Sequence, residues 1–306
     1  MIEDQISKNL MELNSERIRF KYIADRKNKI ECNLQNLMWL LKYIKLGDIK
    51  YALYRVADRF NKKDYFKTDS YKHDASLRNI SDNERIAVYT VIFGEYDHLA
   101  DPMYIAPNCD YYIVTNNEEV QSNVWRKFSI PEEIKEQVKG YTNLELARYF
   151  KLHPHLLFPD YKYSLFVDGN VQIVTDVRPV VAELGNNIIA IHKQPGRDCV
   201  YQEATEILAR KKALPAEVKK QISSYLHEGF PEHYGMFQTN VVAREHNTEI
   251  CKKLMETWWN EICKYTKRDQ LSFTYSLWKN GMQSTDVSIL GDNTDINPRF
   301  RVSCHR

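Results

Sequence analysis

The chain of 306 residues is long enough for one large α/β domain with an additional segment, and its 43% of hydrophobic residues exclude an intrinsically disordered protein. Its six cysteines form no CxxC pair, which argues against a zinc ribbon. The net charge of +2 is uneven, because residues 17 to 67 carry 14 basic against 5 acidic residues. Such an excess is typical of a segment that contacts an anionic membrane or nucleic acid, or of a solvated helix face.

The expected location follows from what the sequence does not contain. No apolar run approaches ~20 residues, and the N-terminus is too polar for a signal peptide. No recognised nucleic-acid motif accompanies the basic segment. We therefore expect a cytoplasmic protein without a nucleic-acid partner, which the basic segment could hold at the inner face of a membrane.

Two amphipathic helices are predicted near the N-terminus. Apolar residues recur from Ile30 to Ile44, Gly47 ends this helix, and the pattern resumes from Ile49 to Phe60. Each helix alone would expose its apolar stripe, so we expect a hairpin that packs on itself, on the main domain, or on a second copy in a homodimer. The basic residues of the opposite face could instead contact lipid headgroups. The polar stretch from 61 to 84 is predicted to be a linker, which gives an extension at 1–82 and a domain at 83–306.

Two β-rich runs, each followed by a polar turn, indicate a nucleotide-binding half. Residues 86 to 93 precede Gly94-Glu95-Tyr96-Asp97, and residues 111 to 115 precede Asn116. Open α/β sheets bind ligands at the carboxyl ends of their strands, although a plain turn explains Gly-Glu-Tyr-Asp equally well. The candidate nucleotide contacts are Thr90, Phe93, Gly94 and Tyr96.

The stretch from 142 to 175 indicates a site for a metal ion and a diphosphate. Thr142 and Glu145 form a capping-box pattern that starts a helix, and Pro154 ends it. Arg148 and Lys151 share one face of this helix. Two cations one turn apart suit a diphosphate, although ordinary surface charge is the alternative.

A predicted strand from 163 to 167 then runs into Asp168-Gly169-Asn170. A carboxylate and an amide on a glycine turn offer hard oxygen ligands to a divalent cation. We therefore predict that Asp168 and Asn170 hold a metal ion beside the phosphates of a sugar nucleotide.

The rest of the chain alternates strands and helices. Strands are predicted at 187–192 and 237–244, and helices at 201–212, 216–228, 248–262 and 268–281. His192 and Arg197 lie on a loop after a strand, so both are candidate donor or acceptor contacts. A buried, hydrogen-bonded histidine is the alternative for His192.

Several segments in this order resemble one known family. They are YTVIFGEYD, CDYYIVTNN, ARYFKLHPHLLFPDYKYSLFVDGNV, HKQPGRDCVYQEA and RDQLSFTYSLWK. The family is the glycosyltransferase-like domain of plant mucilage-related proteins and bacterial polysaccharide gene clusters. The resemblance covers roughly residues 86 to 305 and implies a GT-A-like (Rossmann-like) α/β domain with a mixed central sheet, here preceded by the N-terminal helical hairpin.

The resemblance also implies an activity and its cofactors. It implies transfer of a sugar from a nucleotide-sugar donor, a UDP- or GDP-sugar, with Mn²⁺ or Mg²⁺ at an Asp-x-Asp motif. The acceptor would be a glycan or a lipid-linked saccharide in capsule or lipopolysaccharide synthesis. The motif matches Asp168-Gly169-Asn170, where Asn170 replaces the second acid. A histidine near the C-terminus often completes the metal shell in that fold, and His305 is the positional candidate.

Inverting transfer requires a carboxylate base near the acceptor hydroxyl. Asp269 is the first candidate and Glu203 the second. Asp269 could instead cap a helix, and Glu203 could stabilise a helix N-terminus through the dipole. Two other functions stay open, namely a metal-dependent hydrolase and a carbohydrate-binding protein that has lost catalysis. The replacement of the second acid by Asn170 motivates the latter.

Overall fold

The structure, a computed structural model, describes residues 2–27, 29–60, 76–94 and 99–303. Tyr96 and His305 lie outside the described residues. The helices are α1 (Ile2–Lys27), α2 (Lys29–Lys45), α3 (Ile49–Phe60), α4 (Glu132–Gln137), α5 (Asn143–Leu152), α6 (Pro154–Leu157), α7 (Arg178–Ala182), α8 (Val200–Ala209), α9 (Pro215–His227), α10 (Glu249–Lys264) and α11 (Asp269–Lys279). The strands are β1 (Ile86–Ile92), β2 (Cys109–Thr115), β3 (Arg126–Lys127), β4 (Tyr163–Val167), β5 (Val171–Ile173), β6 (Ile189–Lys193), β7 (Phe237–Arg244), β8 (Ser288–Ile289) and β9 (Phe300–Val302).

A mixed seven-stranded sheet organises the domain. Its strand order is β3-β2-β1-β4-β7-β6-β8, and β7 runs antiparallel to both of its neighbours while the other pairs are parallel. A second sheet pairs β5 with β9, so that the end of the described chain lies beside the turn after β4. This arrangement confirms the predicted α/β fold class with a mixed central sheet.

The sheet has a hydrophobic core on each face. All seven residues of β1 are buried, and they alternate between the cores: Tyr89 and Val91 face one, whereas Val88 and Ile92 face the other. The first core is closed by α5, α10 and α11, and the second by α7 and the β5–β9 pair. Burial on both faces explains why the central strands are continuous apolar runs rather than alternating ones.

Polar residues gather at the carboxyl edge of the sheet. Gly94, Asn116 and Asp168 follow the parallel strands β1, β2 and β4. Because β7 is reversed, it begins at this same edge with Thr239 and Asn240 ahead of the pair that Val241 forms with Val167. The fold therefore places side chains from distant parts of the sequence around one cleft.

The local signals around α5 are confirmed. The Thr142 hydroxyl accepts from the Glu145 N–H, and the Glu145 carboxylate accepts from the Thr142 N–H, which completes the predicted capping box. The helix ends at Leu152, before Pro154 begins a short further helix. The predicted bounds of β4 and β7 agree with the structure.

The N-terminal helices pack on the domain through an aromatic face. Tyr43, Tyr51 and Ala52 are buried against Ala209, and the Tyr43 hydroxyl donates to Glu206 Oε2 at 2.6 Å. The sequence predicted that the two helices pack through their aliphatic stripe. In the structure this stripe is largely exposed, and the aromatic face packs instead. The stripe comprises Leu37, Met38, Leu41, Ile44, Ile49, Leu53 and Val56, together with Leu46 in the turn between the two helices.

The first helix is also attached to the domain. The buried Asn14 donates from Nδ2 to the carbonyl oxygens of Pro298 at 2.8 Å and Phe300 at 2.9 Å, and thereby holds β9. Among the described residues, no helix is both long enough and apolar enough to cross a bilayer.

Candidate active site

A buried lysine between two carboxylates forms the centre of the site. Lys151, in the last turn of α5, is 1% exposed. Its Nζ lies 2.6 Å from Oδ2 of Asp269 and 3.6 Å from Oδ1 of Asp168. A buried ammonium is tolerated only when it is paired, so these contacts fix α5 against the first turn of α11 and the end of β4.

Two further side chains complete the surroundings of Asp269. Nη1 of Arg148 lies 3.5 Å from Asp269 Oδ2, while Arg148 Nε donates to the Lys267 carbonyl at 3.2 Å. The Thr239 hydroxyl donates to the same carboxylate oxygen at 2.9 Å. The side chains of Arg148 and Lys151 are 17% and 1% exposed, so the alternative of ordinary surface charge does not hold for either.

The electrostatics keep Asp269 ionised. Burial alone would raise the pKa of this carboxyl group, but the charges of Arg148 and Lys151 and the hydrogen bond from Lys151 hold the pKa well below its usual range. A general base works best when its pKa lies near the operating pH, so Asp269 is a weak proton acceptor. The alternative of an N-cap also fails, because Arg268 holds the N-cap position of α11 and the Asp269 side chain bonds elsewhere.

Arg244 and Tyr89 hold the backbone of Lys151. Nη1 of Arg244 donates to the Lys151 carbonyl at 2.9 Å, and the Tyr89 hydroxyl donates to the same oxygen at 2.7 Å. Arg244 is fully buried, and among the described residues no carboxylate lies within ion-pair distance of it. The carbonyls at the end of α5 carry partial negative charge and offset the guanidinium. Sequence reasoning missed this pair; its one signal is an arginine at the end of an apolar strand.

The turn after β4 is held on both sides. The Asp168 N–H donates to the Asn240 carbonyl at 2.8 Å, and Asn170 Nδ2 donates to the Ser303 carbonyl at 2.8 Å. The Ser303 hydroxyl returns a bond to the Asn170 carbonyl at 3.0 Å. The Asp168 side chain is 28% exposed, so its carboxylate faces the cleft while Asn170 is largely covered.

The donor set at this turn fits a hard cation. Across the described ranges, no three His, Cys, Asp or Glu side chains are grouped as a metal cluster. The Asp168 carboxylate and the Asn170 amide oxygen suit Mg²⁺ or Mn²⁺, because such ions commonly take one or two protein ligands and complete their shell with substrate phosphates and water. Lys151 Nζ lies 3.6 Å from Asp168 Oδ1, so the Asp168 carboxylate would interact with both the ammonium and such a cation.

The predicted nucleotide contacts of β1 divide into three environments. The Gly94 N–H donates to Asn116 Oδ1 at 3.1 Å, and the Gly94 φ of +71° favours glycine. Phe93 is buried and stacks on Phe150. The Thr90 hydroxyl is buried and has no hydrogen-bond partner among the described residues.

Two asparagines that are not among the predicted nucleotide contacts, Asn116 and Asn143, stand beside Gly94. Asn116 Nδ2 donates to Asn143 Oδ1 at 3.1 Å, and a Cβ at position 94 would lie 3.0 Å from Asn143 Nδ2. The only signals in the sequence are an asparagine directly after a strand and another at the start of α5. Together with Gly94 they form a polar corner at the edge of the sheet.

Glu203 and Arg197 are bonded to each other. Arg197 Nε lies 2.6 Å from Glu203 Oε2, and both side chains are at least nine-tenths buried. Nη1 of Arg197 lies 3.9 Å from Glu206, which also binds Tyr43 of α2. These two residues therefore join the wall that supports the N-terminal helices.

His192 has the environment of a structural histidine. It is fully buried, its Nε2 lies 2.8 Å from Nδ2 of Asn297, and its ring packs edge-on against Phe300. This corresponds to the buried, hydrogen-bonded alternative that the sequence allows.

Comparison with known proteins gives one family and one curated relative. The profile of the TOD1/MUCI70, glycosyltransferase-like domain matches residues 56–294. The probable hexosyltransferase MUCI70 of Arabidopsis thaliana is 26% identical over 226 residues, which cover 66% of this chain and 38% of that protein. The chain thus spans well under half the length of this relative.

Three solved structures are similar at low identity. The bifunctional glycosyltransferase WbbM, in its apo form, is 16% identical with a TM-score of 0.41, and the match covers 70% of this chain and 40% of that one. The galactosyltransferase LgtC, with donor and acceptor sugar analogues, is 11% identical with a TM-score of 0.36 and coverages of 67% and 72%. Mouse xyloside xylosyltransferase 1 is 10% identical with a TM-score of 0.35 and coverages of 68% and 79%.

The buried pair makes stability depend on pH in acid. Asp269→Asn should lower the free energy of unfolding by about 3–5 kcal/mol at neutral pH, because Lys151 loses its nearest carboxylate. Since folding lowers the pKa of Asp269, its contribution is complete above the unfolded value of about 3.9 and is lost as the pH falls through the lower folded value. Urea unfolding at several pH values should show a constant difference from wild type above pH ~5 that shrinks below pH ~4. The exposed Asp160→Asn is the control, and a difference that varies between pH 6 and 8 would contradict the assignment.

The two donors on the Lys151 carbonyl should show coupled energies. Tyr89→Phe and Arg244→Met each leave one donor on that oxygen, whereas the double variant leaves it buried and unsatisfied. Arg244 Nη2 also donates to the Tyr89 hydroxyl at 2.7 Å, so the effects of the two single variants should be non-additive by about 0.5–3 kcal/mol. Denaturant unfolding of all four proteins measures this coupling, and additive effects would contradict an energetic link between the two side chains.

Proposed function

Because the chain belongs to the TOD1/MUCI70 glycosyltransferase-like domain family, we propose that it transfers a hexosyl group from a nucleotide sugar to a glycan acceptor. The observation that carries the proposal is the cluster of Lys151, Arg148 and Asp269 beside Asp168 at the carboxyl edge of the sheet. Three chain segments meet there to place two cations and an oxygen-ligand turn in one cleft.

The two cations suit the charge that develops in the reaction. Cleavage of a sugar–phosphate bond leaves negative charge on the departing nucleoside diphosphate, and cations placed in advance stabilise it. A guanidinium has five donors, so Arg148 retains donors for phosphate oxygens beyond that used on Lys267, whereas the buried Lys151 would act on the phosphates through its charge.

Asp269 serves this site better as a positioning carboxylate than as a base. It holds Lys151 and Arg148 together, and its low pKa keeps it ionised and able to accept hydrogen bonds from donor-sugar hydroxyls. Glu203, the second candidate base, is paired with Arg197. The proposal therefore assigns binding and orientation to Asp269 and leaves Glu203 in the supporting wall.

A divalent cation fits the same site. Asp168 and Asn170 would hold Mn²⁺ or Mg²⁺, which would neutralise diphosphate charge when bound. His305 is the proposed third ligand. It follows Ser303 by two residues in the sequence, and Ser303 is bonded to Asn170.

The donor is proposed to be a UDP- or GDP-sugar, bound against the corner of Gly94, Asn116 and Asn143. The acceptor is proposed to be a glycan or lipid-linked saccharide in capsule or lipopolysaccharide synthesis. Resemblance of the motifs to a family found in bacterial polysaccharide clusters supports this context. The protein is proposed to act in the cytoplasm.

A thermal-shift panel tests the site directly. The full chain is heated with UDP or with GDP, each with and without Mn²⁺. The nucleotide that matches the donor should raise the melting temperature, and Mn²⁺ should increase this shift. Asp168→Ala should remove the Mn²⁺-dependent part, whereas Asp160→Ala, an exposed carboxylate ahead of the same strand, should retain it.

Assay of sugar-nucleotide turnover then separates the three functions. Product that forms only with an added saccharide acceptor supports transfer. Sugar release without acceptor would indicate a hydrolase, and glycan binding without turnover would indicate a carbohydrate-binding protein. An Asp168→Ala protein with an unchanged Mn²⁺-dependent shift would overturn the proposed site.

We also propose that the N-terminal helices bind an anionic membrane surface. Seven apolar residues of α2 and α3, and Leu46 between the two helices, are each at least 38% exposed, although the aromatic face of the same helices is buried. The exposed Lys42 and Lys45 lie among them. An apolar stripe flanked by lysines suits the boundary between lipid headgroups and acyl chains. A homodimer through the same stripe is the competing arrangement.

Vesicle co-sedimentation distinguishes these arrangements. Wild type should sediment with vesicles that contain phosphatidylglycerol, and Leu41→Glu with Leu53→Glu should reduce binding by about tenfold or more, because two exposed leucines that would enter the membrane are replaced by charges. Leu226→Glu, an equally exposed leucine on α9, is the matched control and should bind normally. Equal loss in both variants, or a wild-type dimer that only the stripe variant dissociates, would overturn membrane binding.

A further inference from the structure

Helix α1 carries an apolar stripe on its exposed face. The side chains of Ile6, Leu13 and Phe20, here called the α1 stripe, are 48%, 64% and 70% exposed. They follow one another at intervals of seven residues, or about two helical turns, so they lie in one line along the helix. A single line of apolar residues is typical of the seam between two paired helices, whereas a face that packs on a domain core is broader.

The other face of α1 is fixed to the domain. Asn14 and Ile18 are buried, and Leu10 packs against the second core of the sheet. Ser7 Oγ accepts from the Asp176 N–H at 3.0 Å. The α1 stripe therefore stays exposed although the helix that carries it is already docked.

The charges of α1 change sign at Leu13. Residues 3–12 contain three acidic residues and one lysine, a net charge of −2, whereas residues 14–23 contain three basic residues and one glutamate, a net charge of +2. The acidic residues of the first half are Glu3, Asp4 and Glu12, and the basic residues of the second half are Arg17, Arg19 and Lys21. A second α1 that runs antiparallel would place its positive half beside the negative half of the first, whereas a parallel one would place like charges together.

The apolar residues and the charges specify the same register. In an antiparallel pair with a two-fold axis at Leu13, the two Leu13 side chains meet, and Ile6 faces Phe20 of the second copy. Glu3 and Lys21 are 18 residues apart, about five helical turns, so both lie on the same side of the α1 stripe. Measured along the helix axis, Glu3 then lies about 3 Å from the level of Lys21 of the second copy.

The acidic residues beside the α1 stripe disfavour an anionic lipid surface as its occupant. Glu12 and Glu16 are exposed on the other side of the stripe, whereas Lys42 and Lys45 accompany the exposed residues of α2 and α3. A helix that lies on an anionic membrane carries Lys and Arg beside its apolar face, and the first half of α1 carries mainly acids instead. In the antiparallel pair, Glu16 lies at about the level of the uncharged Asn9 of the second copy.

We propose that the α1 stripe is the interface of a homodimer, in which the α1 helices of two copies pack antiparallel about a two-fold axis at Leu13. The pairing covers three apolar side chains of each copy and places a Glu3–Lys21 ion pair at each end of the interface. The proposal does not depend on the glycosyltransferase function, because none of these residues belongs to the candidate active site.

Sedimentation velocity of the full chain at several concentrations tests the interface. Wild type should sediment as a dimer. Leu13→Glu should weaken the dimer by about tenfold or more, because it places two like charges beside each other on the two-fold axis. Leu13 is exposed in the single chain, so this variant should keep the melting temperature of wild type.

An exposed leucine elsewhere provides the matched control. Leu226 on α9 is 58% exposed, and Leu226→Glu introduces the same charge, so this variant should remain as dimeric as wild type. Equal weakening by the two variants, or a wild-type protein that is monomeric at every concentration, would overturn the proposal.

Charge reversal tests the antiparallel orientation. Glu3→Lys and Lys21→Glu should each weaken the dimer by roughly three- to tenfold, because each turns two attractive pairs into repulsive ones. The double variant restores opposite charges across the interface and should regain most of the wild-type affinity. A parallel pair would gain nothing from the double exchange, so a lack of recovery would overturn the proposed arrangement.

The remaining outcomes identify other occupants of the exposed surfaces. Leu41→Glu with Leu53→Glu changes only the aliphatic stripe of α2 and α3 and should leave the dimer intact. A dimer that this variant dissociates, but that Leu13→Glu does not, would place the interface on α2 and α3 and overturn the proposal. A monomeric wild type whose sedimentation with phosphatidylglycerol vesicles is reduced by Leu13→Glu would also overturn it, because lipid would then cover the α1 stripe.

Discussion

The buried ammonium of Lys151 is the constraint on which the site depends. Removing such a charge from water costs several kcal/mol, and only well-placed partners offset that cost. Those partners come from far along the chain, because Asp269 is 118 residues away and Asp168 belongs to another element. The helix that carries Lys151, the strand that ends at Asp168 and the helix that begins at Asp269 must therefore assemble together, and the site forms as a consequence of folding.

The reversed strand β7 supports both ends of this lysine. Thr239, near its start, bonds the carboxylate that receives the ammonium, and Arg244, at its end, bonds the Lys151 carbonyl. Thr239 and Arg244 are five residues apart, which corresponds to about 17 Å along the strand. The long side chains of Lys151 and Arg244 together bridge this distance. A parallel strand at this position would begin at the opposite edge of the sheet. Its first residues would then lie near the Lys151 carbonyl and its last residues near Asp269. The reversed strand of the seven-stranded sheet is thus part of the construction of the site.

Local signals in the sequence predicted where helices and strands begin and end. They did not predict which side chains from distant parts of the chain contact each other. The capping box at Thr142 and the helix stop at Pro154 depend on neighbours within a few residues, so their outcome could be predicted. The spacing of Arg148 and Lys151 indicated one shared face, but not that Asp269 would meet it. Nothing in the pattern around Arg244 indicates a bond to a carbonyl 93 residues away.

The same limit applies to the N-terminal helices. Their periodicity identified an apolar stripe, but tertiary packing selected the aromatic face instead.

Asn14 of α1 stabilises the other end of the described chain, because it donates to the carbonyls of Pro298 and Phe300 and so holds β9 beside β5. Helix α1 and strand β9 are consequently held together by these two hydrogen bonds. A shortened chain that starts at residue 83 would lack Asn14 and would lose both of its hydrogen bonds to the backbone of Pro298 and Phe300.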